Sequence, residues 1–469
     1  MSEIEKTAGE LLKEQLIFNP ENAGSLMADS EIKEAYNFCE AYKTFLNNGK
    51  TERDTVKYTI ELIKAKGYKP FDRKVKYKAG DKIYYNNRDR AIIVATVGKR
   101  SFEDGVTILA AHIDSPRVDL KQRPLYEEAQ IAMFKTQYYG GIKKYQWTAI
   151  PLALHGVVYK ADGTMVEVNI GEDDNDPVFV INDLLPHLSK EQNKRSLSGG
   201  IEGEELNIFV GCMPFKDDKV SEKVKLNIMN MLNIKYGIIE ADLRCAELCA
   251  VPAGKARDVG MDRGAVGAYG QDDHVCAYTA LMAELNQTET PDYTNIVVLA
   301  DKEEVGSDSN TGLNSAFMKF FIADLAAPYG IEVRTVLAAS KCLSADVTNA
   351  YDPTFASVTE KNNTAYLNYG VAVMKYTGSG GKSSTNDSDA RYMGEVARIL
   401  DKNAVIWQTA TLGKVDAGGG GTVAKYIAAL DVDTIDIGVP VLSMHAPFEL
   451  VSKLDVYQAY RAFDAFIKR

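Results

Sequence analysis

Residues 105–116 read GVTILAAHIDSP, and the reading of this stretch decides the fold. It begins as a short apolar run rich in β-branched residues, the pattern of a strand covered on both faces of a sheet. The run ends on His112 and Asp114, followed by the turn pair Ser115-Pro116. In an open α/β sheet, ligands bind beyond the carboxyl ends of the strands. AIIVATVG (91–98) shows the same apolar pattern just upstream. Further along, TNIVVLAD (294–301), VRTVLAAS (333–340), YGVAVMKY (369–376), AVIWQTA (404–410) and TIDIGVPVLSMH (434–445) are strand candidates, with helices between them.

Outward from that core, residues 1–70 read as helical. In TERDTVKYTIELIKAKGY (51–68) Thr51 can cap, while Val56, Ile60, Leu62 and Ile63 form an apolar face and Gly67 suits the stop. The stretch 118–248 changes character. LHGVVYKADGTMVEVNIG (154–171) reads as a hairpin turning at Asp162-Gly163, and VNIGEDDNDPVFVIND and EGEELNIFVGC add strand signals. The expected architecture is therefore α/β: a mixed-sheet domain of residues 1–117 and 249–469 with helices on both faces, interrupted by a mainly-β insert, 118–248. SKLDVYQAYRAFDAFIKR (452–469) closes the chain as a helix.

The chain's 469 residues amount to about three domain-equivalents and need no disulfide or structural metal to hold a core. A balance of 54 Lys and Arg against 65 Asp and Glu leaves a net charge of −11, which argues against a nucleic-acid partner. Six scattered cysteines do not make a disulfide scaffold, and Cys245 and Cys249 read as packed thiols. The first residues carry charge throughout and no stretch has the ~20 apolar residues of a membrane span, so a cytoplasmic location is expected.

The chain has only five histidines, and two of them fall at strand ends beside acids. His112 and Asp114 follow GVTILAA, while Asp301, Glu303 and Glu304 follow TNIVVLA. Asp346 lies just past VRTVLAAS, and His445 ends TIDIGVPVLSMH. Asp272 and Asp273 open the helical YGQDDHVCAYTALMAEL. Taken singly, His112 reads as a core histidine, Asp272-Asp273 as a helix cap, Glu303-Glu304 as a solvated loop and Asp346 as a turn residue. Jointly they read as a metal centre. Zinc takes imidazole nitrogen and carboxylate oxygen, and two ions ~3.5–4 Å apart can share a bridge, clamp a hydroxide and polarise a scissile carbonyl. The simplest assignment makes Asp272 the bridge, gives His112 and Asp346 to one ion, and Glu304 and His445 to the other. Glu303 is left as general base, and Asp114 as the carboxylate that fixes the His112 tautomer.

AHIDSP, GQDDHVCAYTAL, DKEEVGSDSNTG, LSADVTNAYDP and SMHAPFEL resemble, in order and spacing, the blocks of the aspartyl aminopeptidase and vacuolar aminopeptidase I family, cocatalytic zinc exopeptidases of metallopeptidase family 18. YYGGIKKYQW and TLGKVDAGGGGT extend the likeness over nearly the whole chain. The resemblance implies a discontinuous catalytic domain with an inserted dimerisation domain, peptide substrates, and assembly into a tetrahedral dodecamer. It implies the same roles for His112, Asp114, Asp272, Glu303, Glu304, Asp346 and His445. It also implies that the insert presents His187 toward a neighbouring subunit's site, and that Lys375 stands near the substrate pocket. The sequence departs from the family pattern at Asp273, where Asn is common, at GSGGKSSTND (378–387), and at APFEL after His445. These departures fall where a side-chain preference would be set.

The expected function is a dinuclear zinc aminopeptidase, with cobalt or manganese as other possible ions. A two-metal deacylase or carboxypeptidase, and a non-catalytic oligomeric scaffold, are the alternatives. GSGGKSS lacks the glycine spacing and strand–loop–helix setting of a phosphate-binding loop. His155 and His274 read as structural.

Overall fold

A computed structural model describes residues 6–469; the helical reading of residues 1–5 lies outside them. The fold is mixed α/β, built on three sheets. The largest has nine strands, in the order Lys69–Pro70, Lys82–Asn87, Ala91–Thr96, Thr294–Ala300, Val106–His112, Lys341–Ala345, Asp433–Gly438, Val371–Met374 and Trp407–Thr409. At its centre, Thr294–Ala300, Val106–His112, Lys341–Ala345 and Asp433–Gly438 run parallel, so their carboxyl ends lie together.

The apolar run at 106–112 is buried at every position because alternate side chains feed two separate cores. Leu109 and Ala111 pack with Val275, Leu281 and Phe463 of the helices on one face. Ile108 and Ala110 pack with Phe321, Leu325 and Ile427 on the other. Burying each such Leu or Ile is worth about 1.5–3 kcal/mol, which favours apolar residues along most of this strand.

The local signals of the flanking helix hold. Glu52–Ala65 starts where the Thr51 hydroxyl accepts the Asp54 N–H, buries Val56 and Ile63, and gives way to Gly67 at φ +86°. Residues 117–252 supply a separate antiparallel sheet of seven strands with its own core, including Val118, Phe134, Trp147 and Val251. Within it Leu152–Tyr159 pairs with Met165–Ile170 as a hairpin around Gly163, which sits at φ +83°. A helix, Lys223–Tyr236, also lies in this stretch.

Three expectations are corrected. VRTVLAAS is not a strand: Val333–Ala338 is a helix that buries Val336 and Leu337, and the strand is the next segment, Lys341–Ala345. Its alanines and leucine suit a helix as well as a strand, and a short apolar run does not distinguish the two. TIDIGVPVLSMH is not one strand either. It leaves the main sheet at Gly438, whose Cα lies so close to the Asp346 carbonyl that no Cβ would fit. It then continues as Pro440–Leu442 in a third, five-stranded sheet, and His445 stands in the turn before Glu449–Ser452. Finally, Cys249 is buried but Cys245 is exposed.

Candidate metal centre

Register brings the first groups together. His112 pairs with Ala300 across the parallel ladder, so the residues following each strand emerge side by side. Asp346 leaves the adjacent strand Lys341–Ala345. Asp272 and Asp273 head the helix Gln271–Leu285 but have non-helical backbone angles, and both side chains are buried rather than capping into solvent. His445 arrives from the third sheet at φ +65°, a left-handed conformation that points its ring back toward the strand ends.

Asp272 lies between the two imidazoles. Its Oδ1 is 3.1 Å from His112 Nε2 and its Oδ2 is 3.1 Å from His445 Nε2. Asp346 Oδ1 is 3.8 Å from His112 Nε2, and Glu304 Oε2 is 3.5 Å from His445 Nε2. Each ring is turned inward by its other nitrogen, since the Nδ1–H of His112 donates to the Asp114 carbonyl at 2.9 Å and that of His445 to the Gly141 carbonyl at 2.8 Å. A carbonyl can only accept, so Nδ1 carries the proton and Nε2 faces the acids.

Asp114 therefore orients His112 chiefly through its main-chain oxygen, its carboxylate standing 3.4 Å from Nδ1. That carboxylate has further partners. It accepts the Tyr139 hydroxyl at 2.7 Å and the N–H groups of Glu303 and Glu304 at 3.1 and 3.2 Å, fixing the turn that aims both glutamates. Asp301 is turned aside and accepts from Arg90 and Thr311.

Burial dominates the electrostatics. It pushes the Glu303 carboxyl up to about 7, helped by Asp114 and Asp272 and opposed by the imidazoles. Burial, with Asp272 adding, holds Glu304 and Asp273 well above the usual carboxylate range, and burial with Asp273 does the same for Asp346. On Asp272 burial is outweighed by hydrogen bonds from His112 and His445, which hold it well below that range. Burial acts to lower both imidazoles, but contacts to Asp114 and Asp272 raise His112 well above its ordinary value, and Asp272 and Glu304 raise His445 to about 10.

A divalent ion suits this donor set. His112, Asp273 and Asp346 offer one group of converging ligand atoms, and His112, Asp272 and Glu304 another. Asp273 Oδ1 and Glu304 Oε1 are buried with no hydrogen-bond partner, which leaves acceptor lone pairs unused. Six carboxylates, counting Asp114 and Glu303, crowd two imidazoles, an excess of acid that a cation would relieve.

The structure thus brings together His112, Asp114, Asp272, Glu303, Glu304, Asp346 and His445. It does not bring the other two candidates to them by hydrogen bond or ion pair. His187 is exposed in the short 3-10 turn Pro186–Leu188, and Lys375 pairs with Asp387 at 3.0 Å. His155 bridges Asp54 and Glu172, and His274 is buried against Thr55 and the Gly270 carbonyl. Sequence reasoning missed four participants: Asp273 as a donor, Tyr139 and Gly141 as supports, and Glu449, which accepts the His445 and Asp272 N–H groups. Tyr139 and Gly141 lie in the YYGG block and Glu449 in SMHAPFEL, where only the family likeness, not residue chemistry, singled the segments out.

Residues 45–467 match the family described as aminopeptidase I zinc metalloprotease (M18). A probable M18 family aminopeptidase 1 of Clostridium acetobutylicum is 48% identical over 466 residues, spanning 98% of this chain and 99% of that protein. The crystal structure of an M18 family aminopeptidase from Thermotoga maritima superposes with a TM-score of 0.92 at 42% identity, over 96% of this chain and 99% of that one. The fold is also similar, at a TM-score of 0.76 and 22% identity over 94% of this chain and 97% of that one, to the S. cerevisiae mApe1 dodecamer.

Proposed function

This chain belongs to the aminopeptidase I zinc metalloprotease family (M18) and is a metallo-aminopeptidase, and from that premise we propose how its residues divide the work. It removes single N-terminal residues from peptides using two divalent ions, zinc suiting the mixed imidazole and carboxylate donors best, with cobalt or manganese as substitutes. The observation that carries this reading is the placement of Asp272, each of whose oxygens lies 3.1 Å from a different imidazole.

Asp272 would be shared between the ions: His112 and Asp346 would hold one with it, and His445 and Glu304 the other. When bound, the ions polarise the scissile carbonyl and acidify water. Glu303 acts as general base: it takes the proton of the attacking water and returns it to the leaving amine. In the metal-free cluster burial raises its carboxyl to about 7. Asp114 aims Glu303 and Glu304 by accepting both of their N–H groups and steadies His112 through its carbonyl. The acidic wall attracts the free α-amine of a peptide, which favours an aminopeptidase over a deacylase or carboxypeptidase.

In the same reading residues 1–117 and 249–469 form the catalytic domain and 118–248 an inserted dimerisation domain. The chain assembles as a dimer-based homo-oligomer, a tetrahedral dodecamer, in the cytoplasm. Exposed Leu184, Leu185, Leu188 and Leu197 surround His187 in sequence and support an interface there, from which His187 faces a neighbour's centre. Lys375 stands by the substrate side chain.

The test is a pair of reporters, one aminoacyl with a free amine and one with the amine acylated, offered to the zinc-loaded chain. The free-amine reporter is expected to be cleaved and the blocked one spared. Comparable cleavage of both would show that the centre does not require the free amine and would contradict this reading.

A further inference from the structure

Glu449 has no part in the chemistry above, yet it holds the main chain of two of the residues that do. Its Oε1 accepts the His445 N–H at 2.6 Å and its Oε2 accepts the Asp272 N–H at 3.2 Å. The residue is 1% exposed and pairs with no cation among the described residues. A carboxylate buried this fully is costly unless its oxygens are used, and here each oxygen is spent on a different ligand's backbone.

The strand that carries Glu449 does not depend on this side chain. Glu449 pairs with Ala268 in the antiparallel ladder, and its own carbonyl lies 3.5 Å from Gln271 Nε2. What does depend on it is the spacing between the turn at His445 and the start of the helix at Asp272, two segments 173 residues apart in the chain. The Gly141 carbonyl sets how the His445 ring is rotated, and the Ser115 hydroxyl donates to the Asp272 carbonyl at 2.8 Å. Neither of these joins the two ligands to each other. Glu449 does.

We propose that Glu449 is a positioning residue that sets the separation of Asp272 and His445, and through it the affinity for the ion these two hold with Glu304. The inference rests on the two-ion reading above. Glu449→Gln keeps the shape but replaces one acceptor with an amide NH2, which faces an N–H donor and cannot bind it. One of the two backbone donors is then left buried and unpaired, so its segment shifts to find an acceptor. Loss of such a support around a metal ligand typically costs roughly 10- to 100-fold in metal affinity.

The experiment is zinc binding to the full-length chain, measured by competition with a chelator. Four proteins are compared: wild type, Glu449→Gln, His445→Ala, and the double variant. Wild type is expected to take two equivalents. Glu449→Gln should bind the equivalent held with His445 roughly 10- to 100-fold more weakly, and the other, which shares Asp272, with a smaller loss. The loss in the double variant should be less than the sum of the two single losses, because Glu449 acts in part through His445. With cobalt in place of zinc, the absorption of the site held with His445 should change more in Glu449→Gln than that of the other. Unchanged binding of both equivalents overturns the proposal, as does equal weakening of both or additive losses in the double variant. If Glu449→Gln does not fold, Glu449→Asp, which keeps the charge but spans only one donor, is held to the same criteria. Fewer than two equivalents on wild type sinks the two-ion reading and this inference with it, whereas two equivalents with an unaffected Glu449→Gln sinks this inference alone.

Discussion

Glu303 and Glu304 are neighbours in the chain, and the turn held by Asp114 sends them to different tasks. Glu304 Oε2 faces His445 at 3.5 Å, while Glu303 forms no ion pair among the described residues and stands as the spare carboxylate of the cluster. Glu303→Gln is therefore expected to bind zinc as wild type does and to lose roughly 10²- to 10⁴-fold in kcat, the usual worth of a positioned base. Steady-state kinetics with metal analysis on the same sample checks both halves; a variant with near wild-type turnover would remove Glu303 from the role. A second expectation concerns protons. His112, His445, Glu304 and Asp346 all hold theirs more tightly than usual in the metal-free cluster, and a metal ligand must be deprotonated. Metal binding should therefore release protons, and affinity should rise with pH, by about tenfold per pH unit for each proton displaced. Calorimetry of zinc binding in buffers of different ionisation enthalpy measures the release, and a pH-independent affinity would contradict it.

At the scale of elements, the site is the common end of three parallel strands plus one helix start and one turn. The strand ends were legible because His112 and the Glu303-Glu304 pair directly follow buried, β-branched runs. His445 was legible as a residue but not in its placement: Gly438 leads the chain out of the main sheet, and periodicity cannot show that a strand changes sheets. The strand before Asp346 was misplaced because the Ala- and Leu-rich run that precedes it folds as a helix. Supports such as Gly141 and Tyr139 were invisible for a further reason, since the Gly141 carbonyl reaches His445 and the Tyr139 hydroxyl reaches Asp114 over contacts that no spacing rule reveals. The capping signal at Thr51, by contrast, was local and correct. Thr51→Ala removes the acceptor for the Asp54 N–H and should cost about 1 kcal/mol of stability in thermal or urea unfolding. No change in unfolding would show that the cap is redundant.

On the scale of the whole molecule, the seven-stranded sheet is joined by charge to the helix Glu52–Ala65 and to the residues just before it. His155, on a strand of the seven-stranded sheet, contacts Asp54 of the helix Glu52–Ala65 and Glu172, and Glu172 in turn binds Lys50. Burial opposes the charge on His155, but these two carboxylates raise it to about 9. A histidine whose folded value exceeds its unfolded one contributes stability that is fully present below about pH 6.5 and is lost as pH rises through about 9. The full contribution is roughly 3 kcal/mol, so His155→Gln should lower the melting temperature at pH 6 and much less at pH 10. An equal loss at both pH values would contradict the linkage. The central claim, however, is that groups drawn from both ends of the chain converge on two ions with Asp272 between them. Anomalous diffraction from crystals of the zinc-loaded protein tests it most directly. The account predicts two peaks ~3.5–4 Å apart flanking the Asp272 carboxylate, one beside His112 Nε2 and the other beside His445 Nε2. A single peak, or two peaks of which neither touches Asp272, would contradict it.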